Sequence, residues 1–159
     1  MRRHAFAALA TAALALPALA ADRIGGPVTR VVDGDTFEVG VVRVRLWGVD
    51  APEHDQPGGT EARAKLVELL RGHPVACEPK GRSRARVVAR CMVDGHDLAE
   101  MMAAAGYALD WPKFSGSAYA KAERQAKAER AGLWADGEFM APWLWRDRHG
   151  REPVGPPRR

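Results

Sequence analysis

Cysteine is nearly absent, with only Cys77 and Cys91 in 159 residues. Two thiols so far apart are too few for a zinc site, which takes about four ligands. The five histidines, His4, His54, His73, His96 and His149, show no ligand spacing beside them, so a transition-metal centre is not expected. Beyond the first 20 residues no run is long and apolar enough to cross a bilayer, and no internal repeat is visible. Charge of one sign is also lacking. The 24 basic residues face 20 acidic ones, and Arg2 and Arg3 fall in a segment that reads as removable, leaving 22 against 20. Bulk charge therefore argues only weakly for a nucleic-acid partner. What is present, 47% hydrophobic and 28% charged residues, is the composition of a folded soluble protein, and the length suits one core.

Residues 1–20 have a positive start (Arg2, Arg3), an apolar run from Ala5 to Leu16, then Pro17 and the small-residue site Ala18-Leu19-Ala20. This is the form of a secretory signal peptide, and the run is too short for a membrane anchor. The expected organisation is a signal peptide over 1–20, one domain over 21–151 and a disordered tail over 152–159, in an exported protein, periplasmic or secreted. No membrane contact is expected after cleavage, and a monomer is expected. In an oxidising compartment Cys77 and Cys91, on neighbouring strands, read as one disulfide closing a loop of about 15 residues, worth roughly 3 kcal/mol. Two buried free thiols are the other reading.

Val28 to Val32, Thr36 to Val39 and Val41 to Trp47 are β-branched and alternating, punctuated by Asp33-Gly34 and Gly40, and read as a meander. Thr60 then caps a helix with Ala62, Leu66, Leu69 and Leu70 at helical spacing and Gly72 as its stop. Strands are expected at Val75 to Glu78 and Arg86 to Val93. Asp97 and Glu100 resemble a capping box for a second helix ending at Gly106. A third runs from Ser117 to Arg130, with Glu123 and Lys127 placed for an i,i+4 pair. The later run GEFMAPWLWRDR is aromatic and Pro-interrupted, a segment laid against the body. The pattern fits an α+β fold: a five-stranded OB-type β-barrel with three attached α-helices.

Chemistry concentrates between Asp33 and Glu53. The run DGDT sets Asp33, Asp35 and Thr36 in a tight turn, and VDAPE sets Asp50 and Glu53 just past a strand end. By itself DGDT is a plain hairpin signal. If the two loops lie side by side, Asp35 and Asp50 form an all-oxygen site suited to a hard cation such as calcium. Along Val41 to Trp47, alternation puts Val42, Val44 and Leu46 on one face and Arg43, Arg45 and Trp47 on the other. Arg45 is then either a phosphate clamp or a surface arginine paired with Glu38 or Glu53.

DGDT followed about ten residues on by RLWGVDAPE resembles the staphylococcal nuclease (thermonuclease) family, and the likeness covers roughly Val28 to Trp134. It implies an OB barrel with three helices and an exported nuclease that cuts DNA and RNA using calcium. On that resemblance Asp35, Asp50 and the Ala51 carbonyl would hold the metal, with Asp33 and Thr36 supporting them. Arg45 would bind the scissile phosphate, and Glu53 would activate or position the attacking water. The second catalytic arginine would be Arg86, counted back from Asp94-Gly95, or else Arg84. The family's acidic residue, tyrosine and glycine in that hairpin are here Arg82, Arg84 and Ala85. Lys80, Arg82, Arg84 and Arg86 are then either phosphate contacts for a longer polyanion or a solvated basic loop. For stacking on unpaired bases the nearest residues are Trp111 and Phe114, beside Lys113, though Trp111 also reads as core edge.

Two function classes follow. One is a calcium-dependent nuclease hydrolysing phosphodiesters of DNA and RNA, single strands favoured, with little sequence specificity. The other is a catalytically weak OB-type module binding nucleic acid or protein.

Overall fold

In a computed structural model, residues 23–150 are described; the leader read over 1–20 and the tail over 152–159 lie outside them. Alternation and turn chemistry shape the first half. Strands β1 (Ile24–Gly26), β2 (Arg30–Val31), β3 (Thr36–Val39) and β4 (Val42–Leu46) precede a short β5 (Val49–Asp50). Antiparallel pairing sets Arg30 opposite Glu38 and Thr36 opposite Arg45. Helix α1 (Gly59–Leu70) follows, then the long hairpin β6 (Val75–Ser83) and β7 (Arg86–Val93), and β8 (His96–Asp97).

The second half is largely helical: α2 (Leu98–Ala104), α3 (Pro112–Ser115) after the two-residue strand β9 (Leu109–Asp110), α4 (Ala120–Ala128), a 3-10 turn (Gly132–Trp134) and α5 (Pro142–Arg148). The main sheet runs β1-β6-β7-β4-β3-β2, with β8 on β7, while β5 and β9 pair separately. Only β4 and β7 pair in parallel among these, bringing Arg45 beside Val88.

The α+β class stands. The OB-type core stands with it; its main sheet is mixed and its hydrogen-bonded order ends at β1 and β2 rather than closing, and five α-helices stand among the described residues where three were expected. Helix α3 is a single turn, started by Pro112 and stopped by left-handed Gly116, too short to show a period. Helix α5 begins at Pro142, which the sequence reading took as an interruption. Proline lacks an N–H that the first helical position does not use, so it opens helices readily.

Thr60 does not cap α1. The cap is Gly58, left-handed at φ 89°, with no side-chain bond, and Thr60 lies inside the first turn. The chain turns early because Gly59 sits against the Glu53 carbonyl, where a Cβ would collide. Strand β6 continues past Glu78 because a bulge between Pro79 and Gly81 absorbs the two breakers. The pair expected between Glu123 and Lys127 gives way to other partners: Glu123 accepts the Asp110 N–H at 2.7 Å, and Lys127 meets Glu138 at 2.9 Å.

Phe37, Val44, Leu46, Leu66, Leu98 and Met102 fill the core between sheet and helices. Each such side chain contributes about 1.5–3 kcal/mol by leaving water. Asp97 accepts the Ala99 and Glu100 N–H groups at the start of α2, and its other oxygen takes Arg90 and the Tyr119 hydroxyl. Cys77 and Cys91 face each other across β6 and β7 and are joined as a disulfide. A second apolar cluster of Leu109, Ala126 and Trp134 takes Phe139, Ala141 and Trp143 against it, docking the C-terminal segment.

Candidate active site

The turn from Asp33 to Thr36 is held by its own side chain, Asp33 Oδ1 accepting the Asp35 N–H at 3.1 Å. The Asp35 carbonyl accepts the Leu46 N–H at 2.8 Å, tying the turn to β4. Asp35 is thereby turned inward, where Thr36 Oγ1 donates to its Oδ1 at 2.9 Å and the Ala51 N–H to its Oδ2 at 3.1 Å. Arg45, across from Thr36, donates from Nη1 to Asp35 Oδ1 and from Nη2 to Asp50 Oδ1, each at 2.7 Å. One guanidinium thus joins the carboxylates of two loops, which do lie side by side.

Arg45 is neither a surface residue nor paired with Glu38 or Glu53. It is 6% exposed, and Arg43 takes Glu38 instead. From Val44 to Leu46 strand β4 is buried on both faces, while Arg43 before them is exposed; beyond Arg45, its partner Asp50 is roofed by the C-terminal segment.

That roof brings in a residue the sequence reading did not single out. Arg146 on α5 donates from Nη2 to Asp50 Oδ2 at 2.7 Å, and from Nη1 to Asp50 Oδ1 at 3.0 Å and Glu53 Oε1 at 2.7 Å. Asp50 is completely buried beneath the two guanidiniums. Trp111 lies under both, 5.9 Å from Arg45 and 5.2 Å from Arg146, and stacks on Trp143 with rings 5.7 Å apart. The signal was available in principle. With Pro142 read as a helix start, Trp143 and Arg146 fall three apart on one face.

The charges settle unevenly. Burial and the neighbouring Asp35 carboxylate push Asp33 up to about 7. Burial would raise Asp35 too, but Arg45 and the Ala51 N–H hold it below its ordinary value. For Asp50 burial outweighs Arg45 and Arg146, and its pKa is raised. Burial beside Arg45 lowers that of Arg86.

A cleft of about 460 Å³ opens above this cluster. Asp33, Asp35, Thr36, Arg45, Ala51 and Glu53 line it, as do Arg84, Arg86 and Arg146. Both candidates for the second arginine therefore face it: Arg84 from the left-handed hairpin tip at φ 56°, and Arg86 with Nη1 3.5 Å from Thr36 Oγ1. Asp50 sits behind the wall. Lys113 and Trp111 are not among the lining residues. Lys113 stands exposed over Phe114, and Trp111 is engaged by Trp143 and the two guanidiniums. Among the described residues no three histidine, cysteine or acidic side chains are grouped to hold a metal by themselves.

The family model described as staphylococcal nuclease homologue matches residues 43–136, more than half of the chain. An Escherichia coli protein named as an uncharacterized endonuclease is 34% identical over 139 residues, 83% of this chain and 90% of its own. A Shigella flexneri protein named micrococcal nuclease is 33% identical over 160 residues, covering 90% of this chain and 91% of its own. With more than half its length in that model, and these two relatives matched nearly end to end, the chain belongs to the staphylococcal nuclease family and is a nuclease.

Proposed function

We propose that this nuclease is an exported, calcium-dependent enzyme that hydrolyses phosphodiesters of DNA and RNA with little sequence specificity. The observation that carries the reading is the single guanidinium of Arg45 joining Asp35 to Asp50 at the floor of a cleft that Glu53, Arg84 and Arg86 also line.

The donors suit a hard cation. Carboxylate and carbonyl oxygens are the ligands calcium prefers, and Asp35 and Ala51 line the cleft. Asp35 and the Ala51 carbonyl would hold the ion from the cleft, with Asp50 joining them where Arg45 or Arg146 gives up one of its oxygens; when bound the ion supplies positive charge against the oxygens of the phosphoryl group.

The chain's own residues do the rest. Water attacking a phosphodiester loads charge on the non-bridging oxygens. Guanidiniums fixed beforehand at those oxygens stabilise the transition state more than the ground state. Arg45 is so fixed by two carboxylates, and Arg86 stands across the cleft. Glu53, at the rim, accepts the proton of the attacking water or aims that water in line. The basic hairpin with Arg84 extends the contact along a polyanion, which favours a flexible single strand.

The test is cleavage of denatured DNA by the mature protein, with calcium or with chelator, beside Glu53→Gln. Expected are loss of cleavage in chelator and a fall of at least ~100-fold in the variant. Undiminished cleavage in chelator overturns the calcium reading. Binding without cleavage points to a noncatalytic module.

A further inference from the structure

The family model stops at residue 136, yet a side chain of this cluster comes from beyond it. The segment carrying Arg146 is built into the body. Pro142 is fully buried, Trp143 stacks on Trp111, and Phe139 and Ala141 pack on the Leu109, Ala126 and Trp134 cluster.

The segment also grips the Glu53 turn twice. At the backbone, Gln56 accepts the Glu53 N–H through Oε1 at 3.2 Å, and through Nε2 donates to the Met140 carbonyl at 2.6 Å. At the side chain, Arg146 Nη1 holds Glu53 Oε1 at 2.7 Å while the same guanidinium grips both oxygens of Asp50. Arg146 is 4% exposed, and its Nε is buried with no partner among the described residues. So deep a guanidinium, with one donor unmet, is held for the two carboxylates it joins. A planar fork can span two carboxylates in fixed geometry where an ammonium cannot.

We infer that Arg146 is a positioning residue for the hydrolysis: it aims the Glu53 carboxylate, with Gln56 fixing the turn below, and makes α5 part of the catalytic centre. The inference rests on the role given to Glu53 above. A loosely closing lid would not need a buried proline and a stacked tryptophan pair beneath its arginine. The arrangement has an electrostatic corollary. A dication held at Asp50 would have to share that carboxylate with Arg146, so the guanidinium opposes cation binding while it orders the base.

The experiment compares Arg146→Gln and Arg146→Lys, each alone and with Glu53→Gln, by steady-state cleavage of denatured DNA. Calorimetric titration with calcium alone and thermal melting accompany it. In Arg146→Gln, kcat is expected to fall about 30-fold or more with KM changed less than about threefold. Calcium alone is expected to bind about tenfold tighter, because one positive charge has left its neighbourhood. Arg146→Lys keeps the charge, so its calcium affinity stays near the parent's while kcat recovers only in part. On the Glu53→Gln background Arg146→Gln is expected to add less than about threefold, since it acts through the missing carboxylate.

A merely structural arginine gives a different pattern, in which kcat, calcium affinity and melting temperature fall together and the loss persists without Glu53. That result overturns the inference, as does a kcat within threefold of the parent in both single variants. Parental cleavage by Glu53→Gln alone instead refutes the role of Glu53. A full Glu53→Gln defect with no Arg146 effect refutes only the positioning.

Discussion

Replacing Arg45 by lysine separates its geometry from its charge. The guanidinium sends one nitrogen to Asp35 and the other to Asp50, both at 2.7 Å, with the acceptors almost wholly buried. A lysine keeps the positive charge but gathers its donors on one nitrogen, so it cannot reproduce both bonds in the geometry of the planar fork. A hydrogen bond to a charged group contributes about 1.5–3 kcal/mol. A carboxylate deprived of its buried partner raises the loss toward about 3–5 kcal/mol. Asp50 keeps Arg146, which holds the loss below that, at about 2–3 kcal/mol. With a urea slope of about 1–3 kcal/mol per M, the unfolding midpoint should drop by roughly 1–3 M. Tryptophan fluorescence in urea reads this, and cleavage of denatured DNA by the same sample should fall about 100-fold or more as the preset donor is lost. A stability loss under about 0.5 kcal/mol would refute the reasoning, because Arg45 would then not be the joint between the two loops.

Reducing the bridge between Cys77 and Cys91, which lie 14 apart in sequence, should remove about 3 kcal/mol and lower the melting temperature by about 10 °C, read by calorimetry with and without dithiothreitol; a drop under about 2 °C would contradict the loop-entropy account. Burial, then the Asp97 carboxylate that accepts its hydroxyl at 3.0 Å, raises the Tyr119 pKa above its ordinary value near 10. The unfolded chain therefore releases this proton first, and the stability it contributes is full below about pH 10 and lost as pH rises beyond. Urea unfolding from pH 8 to 11 should show a steeper alkaline decline in the parent than in Tyr119→Phe, and equal slopes would show that Tyr119 is not the group concerned.

Much of the site could be read from local order. DGDT makes a turn whatever surrounds it, since Asp33 bonds the Asp35 N–H two residues on, and alternation alone places Arg45 opposite Leu46. Helix α2 was legible for the same reason, its cap Asp97 lying in the sequence beside the N–H groups it bonds. The misread elements are those whose cause lies elsewhere in the chain. Helix α1 is capped at Gly58 rather than at Thr60 because the Glu53 carbonyl crowds Gly59. Glu123 turns from Lys127 to the Asp110 N–H because β9 passes there.

Local order in the chain is enough for the turns, the alternation that separates Arg45 from the core, the carboxylates on their two loops and the cysteines on facing strands. Each depends on neighbours within a few residues or on a strand's period of two. It takes the folded chain to bring Asp35 and Asp50 to one guanidinium, to turn both Arg84 and Arg86 to the cleft, and to close Arg146 over Asp50 and Glu53 from 93 residues beyond Glu53. Such contacts are fixed by the packing of Trp143 on Trp111 and of Pro142 in its seat. Packing is a property of surfaces brought together by the whole chain, which no local pattern encodes.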